Sequence, residues 1–179
     1  MTVPVPQLAR LVARFPERFI DRDPGGNLYV SHSTVNEWLL GVVGPFSFEL
    51  VTVVRGDVAE VPPNPQGTSK RAKAGTPALC GVVVGGVWRL QVEVDGRTVR
   101  VEEAGDCEDP ANWRHDGQRL KQAASDALKR CAMRVGLGLH LWSGDAYVLD
   151  QRLSSSTGST GNGTTSTTGN GQGEEGNPQ

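Results

Sequence analysis

The sequence lacks the residue patterns on which most catalytic and metal sites depend. Its three cysteines stand far apart with no CxxC pair, and none of its three histidines is spaced from a cysteine or another histidine as metal ligands are. No Gly-Lys-Ser/Thr sequence follows the glycines at 81, 85 and 86, which excludes a phosphate-binding loop there. Cys107 and His115 form no recognised thiol–base motif. We therefore predict a chain that is not an enzyme and uses no metal or cofactor.

The sequence also lacks a long apolar run. No stretch approaches membrane-spanning length, and the first residues, with Pro4 and Pro6, show no charged segment followed by an apolar one. The unpaired cysteines are typical of a reducing compartment. We expect a soluble, cytoplasmic protein with no membrane partner.

The end of the chain lacks aromatic and apolar residues almost completely. From Leu153 onward it consists mainly of Ser, Thr, Gly, Asn and Gln, and Glu174 and Glu175 are its only charged side chains. Such a segment cannot bury enough surface to offset the entropy of ordering it. We predict a disordered tail at 153–179 after a single domain at 1–152. In that domain 18 basic and 18 acidic residues balance, so any affinity for nucleic acid requires local segregation of charge.

Hydrophobic spacing predicts an α+β domain. Two short segments have the helical period, several later ones have the strand period, and Asp95-Gly96 is a two-residue hairpin signal. We predict an antiparallel β-meander of three to four strands packed against a long central helix, with short N-terminal helices. In order, the segments are helices at 5–15 and 34–43, strands at 46–54, 80–84, 87–94 and 97–103 with a break at 85–86, irregular chain at 55–77, an acidic loop at 103–110, and the long helix at 116–138.

The long helix has two unlike faces. Arg119, Lys129 and Arg130 fall on one broad side, and Arg134 flanks the apolar stripe on the other. An ordinary solvated helix surface explains these charges as well as a binding surface does. The apolar side is built largely of small residues, which suits close packing on a sheet: Leu120, Ala124, Ala127, Leu128, Cys131 and Val135.

Other charged groups are further candidates for a binding surface. Lys70, Arg71 and Lys73 form a basic loop cluster in the irregular segment, and Arg97 and Arg100 lie on opposite faces of one strand. Lys and Arg on a groove wall bind a phosphate backbone without reading sequence. Each group also has a plainer explanation: the loop cluster is a solvated loop, and Arg100 is a diagonal cross-strand partner of Glu93. The acidic residues at 102–109 could hold a divalent ion, although a solvated loop explains them better.

The long helix also resembles that of a known family. Ser125-Asp126-Ala127-Leu128-Lys129-Arg130, ending in Val135-Gly136-Leu137-Gly138, is similar to the signature helix of the Rad-fifty-two family of single-strand annealing proteins. In that family an alanine-rich "DGLKRAL…FGNALG" helix follows a β-meander. Phe15-Pro16-Glu17, Gly26 and Leu28-Tyr29-Val30 resemble the opening of the same family. The similarity spans about residues 7 to 142.

The resemblance implies a function and a set of contacts. The function is ATP-independent binding of single-stranded DNA and annealing of complementary strands in homologous recombination and double-strand break repair, in a bacteriophage-type recombinase. Lys129 and Arg130 would line a DNA groove. Where the family has a further arginine this chain has Met133, and Arg134 would substitute for it. A second family arginine aligns with Thr34, and the basic loop cluster would replace that charge.

The resemblance also implies partners. They are single-stranded DNA, further copies of the chain in a closed ring, and a single-strand-binding protein or recombination exonuclease, in the cytoplasm of a bacterial host. Two alternatives stay open. One is a DNA-end-protecting binder of the same superfamily that does not anneal strands. The other is a structural or interaction module that does not bind DNA.

Overall fold

Three antiparallel strands and one long helix build most of the fold in the computed structural model, which describes residues 5–23, 25–68, 73–143 and 147–156. The predicted α+β class, with a meander against a central helix and short N-terminal helices, is confirmed. In chain order the elements are α1 (Gln7–Leu11), a 3-10 helix (Glu17–Phe19), β1 (Asp21–Arg22), β2 (Leu28–Tyr29), α2 (His32–Val43), β3 (Ser47–Val58), β4 (Leu79–Val94), β5 (Arg97–Asp106), a second 3-10 helix (Pro110–Asn112), α3 (Asp116–Arg134), α4 (His140–Ser143) and α5 (Leu149–Ser156).

The meander has the strand order β3-β4-β5. Asp95 and Gly96 form the predicted hairpin turn with φ of 48° and 75°, the left-handed conformation that a two-residue hairpin needs at both positions. The predicted break at Gly85-Gly86 is wrong, because β4 runs through both residues. A Cβ on Gly85 would lie 2.7 Å from the carbonyl oxygen of Gly105, so glycine allows tight strand contact there and does not end the strand.

Strands β3 and β5 are longer than predicted. β3 continues to Val58 and β5 to Asp106, so part of the predicted irregular segment and part of the predicted acidic loop belong to the sheet. Cross-strand pairing with the long β4 orders these polar residues, and sequence propensity alone does not reveal such pairing.

Helix α3 packs closely on β4 and β5. Cys131 and Leu128 are buried in a core with Leu90 of β4, as the apolar stripe predicted. The closest approach is at Gly105, where an added Cβ would lie only 2.1 Å from the carbonyl oxygen of Ala123. Small residues on both elements therefore set the distance between the helix and the sheet.

The remaining helices close the ends of the fold. The Ser31 hydroxyl accepts a hydrogen bond from the Thr34 backbone N–H at 3.1 Å, which caps the start of α2. Helix α5 continues to Ser156, past the predicted boundary at 152. Residues 157–179 lie outside the described residues, so the disordered tail stays a prediction. Among the helices of the described ranges, none has the length and apolar character that crossing a membrane requires.

Candidate nucleic-acid interface

Lys129 and Arg130 lie on the outer side of α3 where two adjoining clefts meet, and both side chains line both clefts. Asp126 also borders the two. The apolar cleft is otherwise lined by Leu28, Tyr29, Val30, Val35, Met133, Leu137, Gly138, Leu141 and Trp142. The polar cleft is otherwise lined by Asp106, Glu108, Gln122 and Ser125.

Lys129 and Arg130 differ in whether they already form an ion pair within the protein. Lys129 is half-buried and forms no ion pair with any described residue. Arg130 pairs with Asp126 one helical turn earlier, with 2.8 Å between Nε and Oδ2, and this hydrogen bond raises the pKa of Arg130. The Arg130 side chain is 43% exposed, and exposed i,i+4 pairs stabilise a helix by only about 0.5 kcal/mol. The Asp126–Arg130 pair is therefore weak enough for a phosphate to compete with Asp126 for Arg130.

Arg134 does not join the two clefts. Its guanidinium pairs with Glu103 of β5, and its side chain lines a third cleft beside α1 and the β4–β5 hairpin. Met133 lines the apolar cleft in its place. The structure thus places Arg134 outside the two clefts that Lys129 and Arg130 line, because its guanidinium turns toward Glu103. Arg134 lies about 100° round the helix from Met133, so the two side chains do not occupy the same place.

The prediction that Arg119 lies on the exposed cationic face is wrong. Its exposed fraction is 4%, and it donates hydrogen bonds to Pro110 O at 2.9 Å, Trp113 O at 2.5 Å and Asp116 Oδ1 at 2.8 Å. The segment before α3 folds over the first turns of the helix and covers this side chain. Helical periodicity places a residue relative to the sheet, but it cannot reveal a loop that covers the other face. Arg119 is a structural residue in this fold and is not available to a phosphate.

Sequence reasoning missed the carboxylate that Arg119 contacts. Asp116 accepts hydrogen bonds from the Val83 backbone N–H at 3.2 Å, from Arg55 Nη1 at 2.8 Å and from Arg119. These bonds, that of Val83 first and that of Arg55 next, lower the pKa of Asp116. The carboxylate joins β3, β4 and α3. An acidic residue in the first turn of a helix was the only sequence signal for it.

The structure also separates Arg97 and Arg100 from Lys129. Arg100 lies on the sheet face that α3 leaves uncovered, and its Nε donates to Gln91 Oε1 at 2.6 Å. The predicted pairing of Arg100 with Glu93 is wrong, because Glu93 accepts from Thr98 instead. Arg97 is exposed at the start of β5, roughly 30 Å along the strand from Asp106 of the polar cleft.

The basic loop cluster is only partly described. Lys70 and Arg71 lie outside the described residues. Lys73 is exposed in the chain between β3 and β4, whose base is closed by paired backbone hydrogen bonds between Val61 and Thr76. The contact of this cluster with a phosphate backbone stays a prediction.

The two buried thiols, Cys107 and Cys131, are held in the protonated form at neutral pH. Burial raises the pKa of Cys131 to about 11 and also raises the pKa of Cys107. His115 caps α3, and its backbone N–H donates to Gln118 Oε1. Among the described residues no group of three or more His, Cys, Asp or Glu side chains is placed to hold a metal ion.

Comparison of the sequence with protein-family models found no matching family, and comparison with curated proteins found no matching protein. The features of the chain that bear on its function are the two clefts, their cations and the sequence of α3.

Proposed function

We propose that the protein binds single-stranded DNA and anneals complementary strands without nucleotide hydrolysis, as a Rad-fifty-two-type recombination protein of bacteriophage kind. One observation carries the proposal. Lys129 and Arg130 stand side by side on the helix whose sequence resembles the family signature, and both line two open clefts. A cationic pair beside a groove binds phosphates of any sequence, which annealing of arbitrary strands requires.

The proposed mechanism is non-covalent. Lys129 and Arg130 bind phosphates, the strand is held extended, and its bases sample a complementary strand. Formation of the duplex supplies the free energy. Because the domain at 1–152 has no net formal charge, two cations per copy give weak binding, and many copies on one strand are needed for useful avidity.

A homo-oligomer is supported by the exposed strand β3. Leu50, Val51, Val53 and Val54 are each between 38% and 44% exposed, although alternation along a strand normally buries every second residue. Helix α3 covers β4 and β5, and β3 lies at the edge of the sheet. Long apolar edge strands in soluble proteins are normally covered. We propose that a second copy of the chain covers β3, as a ring requires.

The oligomer has a direct test. Val51→Glu places a charge in the proposed contact and should reduce the assembly mass seen by analytical ultracentrifugation. Val61→Glu is the matched control, because Val61 is 54% exposed outside β3. Equal masses for wild type and Val51→Glu would contradict the proposed interface.

The function is tested by annealing of two complementary oligonucleotides, one labelled. Wild type should accelerate pairing at modest salt, and Lys129→Ala/Arg130→Ala should not. The control Arg114→Ala/Lys121→Ala removes the same charge from two exposed positions, one just before α3 and one in its first half, and should keep the activity. The slope of log affinity against log salt should become less steep by roughly 1.4 in the first variant, because each lost single-strand phosphate contact accounts for about 0.7.

Two other outcomes identify the alternatives. Binding of single strands with an unchanged pairing rate would identify a DNA-end-protecting binder. No binding by wild type would identify a structural or interaction module, which is favoured by Asp106 and Glu108 in the polar cleft because their charge opposes a phosphate. A single-strand-binding protein or recombination exonuclease is a proposed partner in the annealing case, and co-purification with either tests it.

A further inference from the structure

Trp142 has an exposed fraction of 72%. Indole rings are usually mostly buried, so an exposed one at a cleft commonly marks a contact surface. Tyr29, which is 42% exposed, lines the same apolar cleft. Neither ring stacks on another aromatic ring in the described part of the chain. Two partly exposed aromatic rings therefore lie in a cleft that Lys129 and Arg130 also line.

The fold positions the backbone of both residues. Trp142 belongs to α4, whose inner residue His140 is buried and accepts a hydrogen bond from the Phe15 backbone N–H at 3.2 Å. Residues two apart on a helix do not face the same way, so burial of His140 directs Trp142 outward. Tyr29 is held by β-pairing with Asp21. The exposure of both rings is thus a consequence of ordered structure.

We propose that Trp142 and Tyr29 form a stacking platform for a base of the single strand whose phosphates bind Lys129 and Arg130; this inference rests on the proposed function. The cationic edge of the cleft suits phosphates, and its aromatic wall suits the base attached to them. Every base has an aromatic face, so stacking adds affinity without selecting sequence. The platform would anchor a nucleotide on each copy and set the register of the strand.

The test compares two oligonucleotides of equal length and charge, a deoxythymidine oligomer and its abasic counterpart, by fluorescence anisotropy. Trp142→Ala should bind the deoxythymidine oligomer about tenfold more weakly than wild type and the abasic oligomer equally well. Trp142→Phe keeps an aromatic face and should stay close to wild type. Tyr29→Ala should cause a smaller base-dependent loss. Thermal unfolding should be unchanged for Trp142→Ala, since most of the side chain is exposed.

The outcomes separate this inference from the function on which it rests. Lys129→Ala/Arg130→Ala should weaken both oligomers by the same factor, because it removes only phosphate contacts. If Trp142→Ala binds both oligomers as wild type does, or loses the same factor for both, the platform is wrong while phosphate binding stands. If Trp142→Ala changes the assembly mass and not the affinity, a second copy of the chain covers the cleft. If wild type binds neither oligomer, the proposed function is wrong and the platform with it.

Discussion

In the first half of α3, Arg119 is buried and donates three hydrogen bonds, whereas in the second half Lys129 is half-buried with no ion pair among the described residues. Both side chains are cationic, and helical periodicity predicts the same helix face for both. The difference arises outside the helix, because the chain at 110–113 covers the first half and the two clefts leave the second half open. The irregular chain beside a helix therefore determines whether a cationic side chain on it stabilises the fold or is accessible to a ligand.

The largest expected effect is a loss of stability when the packing of α3 against the sheet is disturbed. Gly105→Ala should destabilise the protein by about 3 kcal/mol, because its Cβ would lie 2.1 Å from Ala123 O and 2.7 Å from Ala127 Cβ. Urea unfolding measures the change. Gly117→Ala is the matched control, since nothing lies within 4 Å of its Cβ position, and it should stabilise by up to about 1 kcal/mol. Similar small changes in both variants would show that the close helix–sheet contact is absent.

The next effect separates the two cations directly. Arg119→Ala should lower the unfolding free energy by about 2 kcal/mol, because the partly buried carbonyls of Pro110 and Trp113 lose their donor. Below the unfolding transition its affinity for single-stranded DNA should match that of wild type. Arg119→Lys should recover only part of the stability, since an ammonium cannot reproduce the planar fork. If Arg119→Ala were as stable as wild type but bound DNA more weakly, Arg119 would belong to the binding surface.

Lys129→Ala should show the opposite pattern. Its unfolding free energy should stay within about 0.5 kcal/mol of wild type, because the side chain makes no ion pair with described residues. Affinity for single-stranded DNA should fall several-fold at low salt, with a salt slope less steep by about 0.7. Lys121→Ala, also on α3 and exposed, is the control and should bind as wild type does. A stability loss without a binding loss would make Lys129 structural.

The smallest expected effect is a pH dependence of the folding stability that arises from His140, a residue near the second half of α3. Burial, and then the charge of Arg14, lower the pKa of His140 below its ordinary value, while Asp150 opposes the shift. The unfolded chain therefore binds a proton at higher pH than the folded one. The stability is complete above about pH 6.5 and declines as pH falls from there through the folded pKa. Urea midpoints between pH 5 and 7.5 should show this decline in wild type and in the exposed-site control His115→Gln, and less of it in His140→Gln.

The sequence-based predictions were right where a local sequence pattern is enough to determine the structure. The apolar stripe of α3 and the Asp95-Gly96 turn are local signals, and both appear in the structure as predicted. The errors arise where a second segment of chain packs on the element in question. Arg119 is covered by the chain at 110–113, and Gly85 stays in a strand because the neighbouring strand β5 packs beside it. The Asp116 cluster joins residues from three elements, so no spacing along the chain reveals it.

The Asp116 carboxylate has one further consequence. It joins β3, the strand that we propose meets another copy, to α3, the helix that we propose meets DNA. Where two binding events on one molecule are coupled, the coupling is reciprocal. If docking of a neighbour on β3 changes the affinity of α3 for a strand, then a bound strand changes the affinity of copies for one another by the same factor. DNA would then regulate assembly of the oligomer as well as bind to it.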